Sequence, residues 1–437
     1  MLFEDVTLVD EHFKLRRHMY LGVYGACIDY LGDAPPPNAY RYGETYGAGR
    51  SLLLTPGFYN AHSHAPMHVL RGYGENLALD DWLQRRIFPF EDRLTADDIF
   101  WACKMGIAEM LRFGIVSTTD MYMRGEAMGR AFATSDIKAN FSVGTICMAD
   151  RDFRDLPQYA ETLALREQFH NWGDGKLRVE FSLHGEYTSH QRVAATLAEA
   201  AAETGSAIHV HVAETAAEVA GCKERHGGLS PVQYLDSLGF FEMPVTAAHC
   251  VHIDGADIAI LKQKRVSVAH CPKSNLKLAS GFCPAARLLA AGVNVALGTD
   301  SVASNNNLNM LEELKTFALI HKGISGDATL ITPAEALYAA TRAGALAQGR
   351  EDCGLLKEGW RADIAVFDID RIYMRPAHDL LNNLVYAGCG SDVCLTMVDG
   401  GVLYRDGSFP TLDIEELLYH TDETCRRVLD ELAAAPQ

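Results

Sequence analysis

The chain has 437 residues, 48% of them hydrophobic, with a formal charge of −18 and a pI near 5.4. That is enough apolar chain for a large core and more length than one compact domain needs, so one large domain and a smaller one are expected. The acidic balance argues against nucleic-acid phosphates and anionic lipid, which need a basic surface, and favours a small-molecule substrate. Eleven scattered cysteines without a C-x-x-C pair suggest neither a disulfide framework nor a thiol-rich zinc module and fit a reducing cytoplasm. The opening "MLFEDVTLVD" has no basic stretch followed by an apolar run, and no segment approaches ~18 uninterrupted apolar residues, so neither a signal peptide nor a membrane span is expected.

The first fifty or so residues read as short strands and turns, ended by the proline run of "DAPPPNAYRYGETYGAG". From there apolar strand-like runs alternate with long helical stretches, the signature of parallel βα units. The predicted strands are "LLLTPGFYNAH", "GIVSTTDM", "KANFSVGTIC", "LRVEFSLHG", "AIHVHVAE", "PVTAAHCV", "VSVAHCP" and "NVALGTDS". Helices are predicted at Asp97 to Phe113, Arg192 to Thr204 and Pro284 to Ala291, the last stopped by Gly292. Eight such strands fit a closed (β/α)₈ TIM barrel over residues 53–350 better than an open sheet. Strand-and-turn texture returns in "GWRADIAVFDID" and "DVCLTMVDGGVLYRDG", with Gly and Asp turn signals. Residues 1–52 plus 351–437 are therefore expected to form a small composite β-sandwich domain built from both chain ends.

His62 and His64 stand two apart, so from one strand both rings reach the same point. An isolated H-x-H is more often a polar turn than a ligand pair, but other polar residues stand where apolar strand patterns end. They are His184 in "EFSLHGEY", His211 and Glu214 in "AIHVHVAET", His249 in "VTAAHC" and Asp300 in "NVALGTD". In a barrel those ends converge on one mouth, where active sites form. His209, two residues earlier on its strand, reads as a hydrogen-bonded core histidine. Three imidazoles and a carboxylate suit a borderline divalent ion such as Zn²⁺, which lowers the pKa of bound water toward neutrality and makes hydroxide available for attack on an sp² carbon. Glu214, three residues past His211, is the candidate proton shuttle, with a helix-start carboxylate as its structural alternative. His249 would polarise the attacking water or stabilise developing charge, and Asp300 would take up a proton as well as bind metal.

The stretches "PGFYNAHSHAPMHVLRGYGENLALDDWL", "HVHVAET", "AAHCVHID", "VAHCPKSNLKLASGFCP" and "GTDSVASNNNLNMLEELK" resemble the aminohydrolase branch of the amidohydrolase superfamily over nearly the whole chain. The resemblance implies a (β/α)₈ barrel with a β-sandwich domain, a dimer or tetramer, and one metal per chain, Zn²⁺ with Fe²⁺ as the alternative. It implies His62, His64, His211 and Asp300 as ligands and acid/base roles for Glu214 and His249. No lysine ends the fourth strand, and His184 stands there instead, as in mononuclear members. Within the branch, "LRGYGENLALDDWLQRRIFPFEDRLT" is most similar to deaminases of S-adenosylhomocysteine, 5′-methylthioadenosine and related adenosines. That implies Glu91 at ribose hydroxyls, Trp82 as a pocket wall and His184 at the purine, with Glu214 also touching the base.

The expected reaction is attack of metal-bound hydroxide on the amino-bearing ring carbon with release of ammonia. The alternatives are a guanine, cytosine or triazine aminohydrolase or chlorohydrolase and, from another class, a non-catalytic scaffold. Two departures bear on substrate. Lys138 stands at the nearest match to a carboxylate-binding arginine of the family, with Arg151 and Arg154 close by, and a lysine lacks the bidentate fork. "HGEYTS" replaces the usual proline-containing turn after His184 and puts Glu186 near the mouth. In "HCPKSNLKLASG", His270, Asn275 and Lys277 are read as shaping a loop, with substrate contact as the alternative. His68 is read as a bystander.

Overall fold

The computed structural model describes residues 1–77 and 79–434. By Cα proximity the chain divides into two compact units, one gathering residues 1–60, 108–117 and 309–411, the other residues 61–107, 118–308 and the chain from Leu412.

The first unit contains one continuous eight-stranded sheet drawn from both ends of the chain. Its hydrogen-bonded order is Gly401–Arg405, Val393–Val398, Ile364–Asp368, Leu52–Pro56, Leu2–Val9, Leu15–Tyr24 and Cys27–Gly32, with Thr45–Tyr46 paired beside Leu2–Val9. Residues two apart, such as Leu21 and Val23, Leu52 and Leu54, Ile364 and Val366, and Leu395 and Met397, are buried in one cluster, as a two-residue period requires. The "DG" signal is a two-residue hairpin: Val398 pairs with Gly401, and Asp399 and Gly400 both take positive φ, 46° and 75°.

The second sheet holds the eight strands of the barrel in sequence order: Phe58–Ser63, Ile115–Tyr122, Lys138–Thr145, Phe181–Gly185, Ile208–Val212, Val245–His249, Ser267–His270 and Asn294–Leu297. A parallel bridge from Ser63 to Asp300 draws its first and last members together, leaving the barrel nearly closed. Two predicted strands divide. "LLLTPGFYNAH" breaks at Gly57, where a Cβ would come within 2.3 Å of Val116, so Leu52–Pro56 joins the other sheet. "LRVEFSLHG" breaks at Glu180, which accepts from Asn140 Nδ2 at 2.5 Å, and Leu177–Val179 pairs with the third barrel strand.

The predicted helices occur as Ala96–Arg112, Gln191–Thr204 and Ala285–Ala291, and Gly292 ends the last at φ 78°. The C-terminal segment, expected to be β-structure, contains the 21-residue helix Ile414–Ala434. Leu417, Thr424 and Val428 form its buried stripe, and Asp98 accepts from Thr424 Oγ1 at 2.8 Å and Arg427 Nη2 at 2.5 Å. These contacts group the helix with the barrel unit. Among the described residues no helix is long and apolar enough to cross a membrane.

Candidate metal and catalytic centre

The first barrel strand ends in Asn-Ala-His-Ser, which carries His62 and His64 to the mouth on the same side of the strand. Three further chain segments leave their strands through left-handed residues: Ala213 at φ 52°, His249 at φ 71° and Asp300 at φ 58°. Such backbone strain in non-glycine residues concentrates at functional sites. Here it turns the chain at the ends of the fifth, sixth and eighth strands.

Each histidine of the cluster is tied at one nitrogen. His64 Nδ1 donates to the Met121 carbonyl at 2.5 Å and His211 Nδ1 to the His184 carbonyl at 2.6 Å. His62 Nδ1 bonds His209 Nε2 at 2.9 Å, so His209, fully buried, is the core histidine expected and orients its neighbour. The remaining nitrogens converge: Asp300 Oδ1 is 3.5 Å from His62 Nε2 and 3.4 Å from His64 Nε2, and His64 Nε2 is 3.4 Å from His211 Nε2. His62 Nε2 is buried and makes no hydrogen bond among the described residues.

These contacts test the fit of a metal. Two imidazole nitrogens whose protons are committed elsewhere face each other with lone pairs, which repel unless a cation lies between them. Ligands of one tetrahedral Zn²⁺ at about 2.0–2.1 Å stand about 3.3–3.4 Å apart, and the observed separations match. Burial pushes the His62 imidazole down to about 3 and holds His211 well below the ordinary range, so both are neutral ligands at neutral pH. The four residues therefore fit a divalent cation.

Asp300 is held by four further contacts. Its Oδ2 accepts from Ser274 Oγ at 2.5 Å and Ser304 Oγ at 2.9 Å, its Oδ1 accepts from the Ser301 amide at 2.8 Å, and its own amide donates to the His62 carbonyl at 3.0 Å. Glu214 Oε2 lies 3.8 Å from His249 Nε2, and Glu214 Oε1 accepts from Ser280 Oγ at 3.1 Å. The helix-start role weighed for Glu214 falls to Glu218, which accepts from the Ala213 and Glu214 amides, each at 2.7 Å. His249 Nδ1 donates to Asn275 Oδ1 at 2.9 Å.

Beside this cluster opens a cavity lined by His64, His211, Glu214, His249 and Asp300 at one end and by Trp82, Glu91, His184 and apolar side chains further out. Glu91 ends the short helix Phe88–Glu91, buried, and accepts from Tyr122 Oη at 2.6 Å. Burial raises its carboxyl to about 7. His184 Nδ1 contacts Thr188 Oγ1 at 3.1 Å, and burial lowers its imidazole to about 4, leaving a neutral ring that both donates and accepts. All nine residues expected at the site thus border one cavity or its metal cluster, with His62 behind the cavity wall.

Other expectations are corrected. Lys138 opens the third barrel strand, at the end remote from the mouth, and does not line the cavity, so it is no counterpart of a carboxylate-binding arginine. Arg154 is engaged by Asp152, Glu199 and Glu203, and Arg151 is exposed. Glu186 turns away from the cavity. It accepts from Arg225 Nε at 3.1 Å, Arg225 Nη2 at 2.7 Å and His226 Nε2 at 2.8 Å. Glu186, Cys222 and His226 are close enough to suggest a second metal group, but the guanidinium already supplies the positive charge there, and the cluster is an ion pair tying Glu186–Thr188 to helix Ala216–Arg225. His68 bonds Arg71 Nη2 at 2.8 Å, outside the cavity, and His270 is buried outside it too. Sequence reasoning missed Ser280, Ser274, Ser304 and Tyr122, whose hydroxyls carry no pattern recognisable before folding.

A strained-ended barrel with a histidine and aspartate cluster at its mouth defines a metal-dependent hydrolase class, and comparison agrees. Residues 53–403 match the amidohydrolase family, and the chain belongs to that family. It is 40% identical to the 5-methylthioadenosine/S-adenosylhomocysteine deaminase of Dictyoglomus thermophilum over 86% of this chain and 87% of that one. To the deaminase of the same name from Moorella thermoacetica it is 39% identical, over 95% and 97%. A crystal structure of an adenosine deaminase from Xanthomonas campestris with bound zinc superposes with a TM-score of 0.89 at 30% identity, covering 98% of each chain. The zinc complex of atrazine chlorohydrolase from Arthrobacter aurescens shares the fold, with a TM-score of 0.88 at 22% identity over 97% and 99%.

Proposed function

We propose that the protein is a metal-dependent hydrolytic deaminase of adenosine-type nucleosides, converting an amino-bearing ring carbon to a carbonyl with release of ammonia. The observation that carries the reading is the convergence of His62, His64, His211 and Asp300 on one point, with Glu214 and His249 facing each other at 3.8 Å beside it. The names of the curated relatives and of the zinc-containing structural neighbour support the substrate class and Zn²⁺, one ion per chain.

His62, His64, His211 and Asp300 would hold a divalent cation, which when bound would supply acidification of the attacking water. Glu214 would take one proton from that water at Oε2 and deliver it to the ring nitrogen. His249 would donate toward the developing negative oxygen, and Asp300 would accept the water's second proton and pass it to the departing amine. The sum is water plus the aminopurine giving the oxopurine and ammonia. Further out, Glu91 accepts from sugar hydroxyls, Trp82 walls the pocket and His184 meets the purine edge.

The reading extends to a reducing compartment, supported by eleven free cysteines, and to a homo-oligomer, which rests on the family resemblance. A complete ligand and acid/base set speaks against a non-catalytic scaffold. The test is ammonia release by zinc-loaded protein across adenosine, 5′-methylthioadenosine, S-adenosylhomocysteine, guanine, cytosine and aminotriazines, with turnover expected only among the adenosines. Release confined to a base or a triazine would replace the substrate assignment.

A further inference from the structure

We infer that the segment following the seventh barrel strand is the positioning element of the proton-transfer pair, with Asn275 orienting His249 and Ser280 orienting Glu214. The inference rests on the deaminase reading and names residues that act through the catalytic ones.

The segment is short and strongly determined. Pro272 starts helix Pro272–Lys277, and the chain then turns back through Ala279 at φ 55° and Gly281 at φ 124°. The Ser280 amide donates to the Asn275 carbonyl at 2.9 Å, and the Ser280 carbonyl accepts from His252 Nε2 at 2.6 Å. On the outer side Lys277 Nζ donates to Glu75 Oε1 at 3.0 Å and the Ala303 carbonyl at 3.1 Å. Asn275 and Ser280 are thereby buried and fixed before they touch the catalytic groups.

Three side chains of this one segment end on three different residues of the centre: Ser274 on Asp300, Asn275 on His249 and Ser280 on Glu214. Asp300 has other donors in Ser304 and the Ser301 amide, so Ser274 is partly redundant. The other two contacts set geometry that nothing else supplies among the described residues. By accepting from Nδ1, Asn275 turns Nε2 of the ring toward Glu214. By donating to Oε1, Ser280 engages one carboxylate oxygen and leaves Oε2 to face His249. Among the described residues the Asn275 amide nitrogen, buried, finds no hydrogen bond, a cost no packing role explains, so the residue is present for its oxygen. Small misplacements of reacting groups cost large factors in rate, which is what such a clamp prevents.

The experiment uses the full-length, zinc-loaded protein and the adenosine that it deaminates fastest. Asn275→Leu, nearly isosteric, is expected to lower kcat about 10- to 100-fold with KM within about threefold, and Asn275→Asp, which keeps the acceptor, to recover most of it. Ser280→Ala is expected to lose about tenfold in kcat, and Ser280→Thr to restore it. Because both act on one pair, the Asn275→Leu/Ser280→Ala double variant is expected to lose less than the product of the single losses, at unchanged zinc content. Full kcat in Asn275→Leu and Ser280→Ala, a loss confined to KM, or losses that multiply and track zinc content would overturn the inference. Wild-type protein silent on every adenosine contradicts the deaminase reading itself and is seen before any variant is compared.

Discussion

His62 and Asp300 meet twice, Nε2 to Oδ1 at 3.5 Å and carbonyl to amide at 3.0 Å, so the contact that draws the first and last barrel strands together also builds half of the cluster proposed to hold the metal. Gly298, two residues before Asp300, makes this approach feasible: a Cβ there would lie 2.9 Å from His62 Cβ and 3.0 Å from both the His62 amide nitrogen and Cys271 Sγ. Gly298→Ala is therefore expected to displace His62, cut zinc affinity by about tenfold or more and lower the melting temperature. Metal titration and thermal unfolding check it, and unchanged affinity would mean that the strands tolerate the methyl.

Removal of the metal should be felt in stability as well as activity. The proposed cation would bind folded protein at converging lone pairs that otherwise repel, so a chelator is expected to abolish turnover and lower the melting temperature, and added zinc to restore both. With ligand at 100 times Kd the stabilisation is about 2.7 kcal/mol. Equal melting of apo and loaded protein would show that the four residues do not hold a cation.

Glu91 makes both stability and nucleoside binding depend on pH. Burial raises its carboxyl from 4.5 to about 7 even though Tyr122 donates to it. A carboxyl raised on folding leaves the protein most stable below pH 4.5, and that contribution is lost as pH climbs through 7, by about 3 kcal/mol in all. Glu91→Gln should consequently gain stability on wild type at pH 8 and not at pH 4.5, as denaturant melts at the two values will read. In function the direction reverses: the ionised carboxylate is the better acceptor for sugar hydroxyls, so KM for nucleosides is expected to fall from pH 6 to pH 8 in wild type and to stay level and higher in Glu91→Gln.

No lysine or arginine lines the cavity among the described residues, whose outer walls include Met67, Met121, Met123, Ile146 and Leu278. A carboxylate brought against such a surface loses water without gaining a partner. The expected kcat/KM for 5′-methylthioadenosine exceeds that for S-adenosylhomocysteine by about tenfold or more. Steady-state comparison of the two substrates decides it, and parity would require a cation reaching the site from elsewhere.

How far the sequence carried this depended on whether a feature was local. The barrel strands were readable because each is an apolar run ended by a polar residue, and His62, His64, His211 and Asp300 because strand period and strand ends set their direction. What depended on contacts between distant segments was not readable. Asn275 and Ser280 act across 26 and 66 residues of separation, on partners no spacing rule connects. Glu186 was put at the mouth because it follows His184, yet Arg225 and His226 draw its carboxylate outward. Lys138 was matched along the chain to a residue needed at a strand's far end, whereas it begins the strand. Helix Ile414–Ala434 was missed although its buried residues follow a helical period, because neighbouring turn signals set the reading of the whole C-terminal segment.

Glu214 is proposed to move the proton in a metal-dependent deamination. The most direct measurement is ammonia and oxopurine formed from 5′-methylthioadenosine by zinc-loaded wild type and by Glu214→Gln of equal zinc content. One ammonia per nucleoside consumed is expected in wild type, and a kcat lower by about a thousandfold or more in the variant. Comparable turnover in the two proteins, or nucleoside consumed without ammonia, would contradict it.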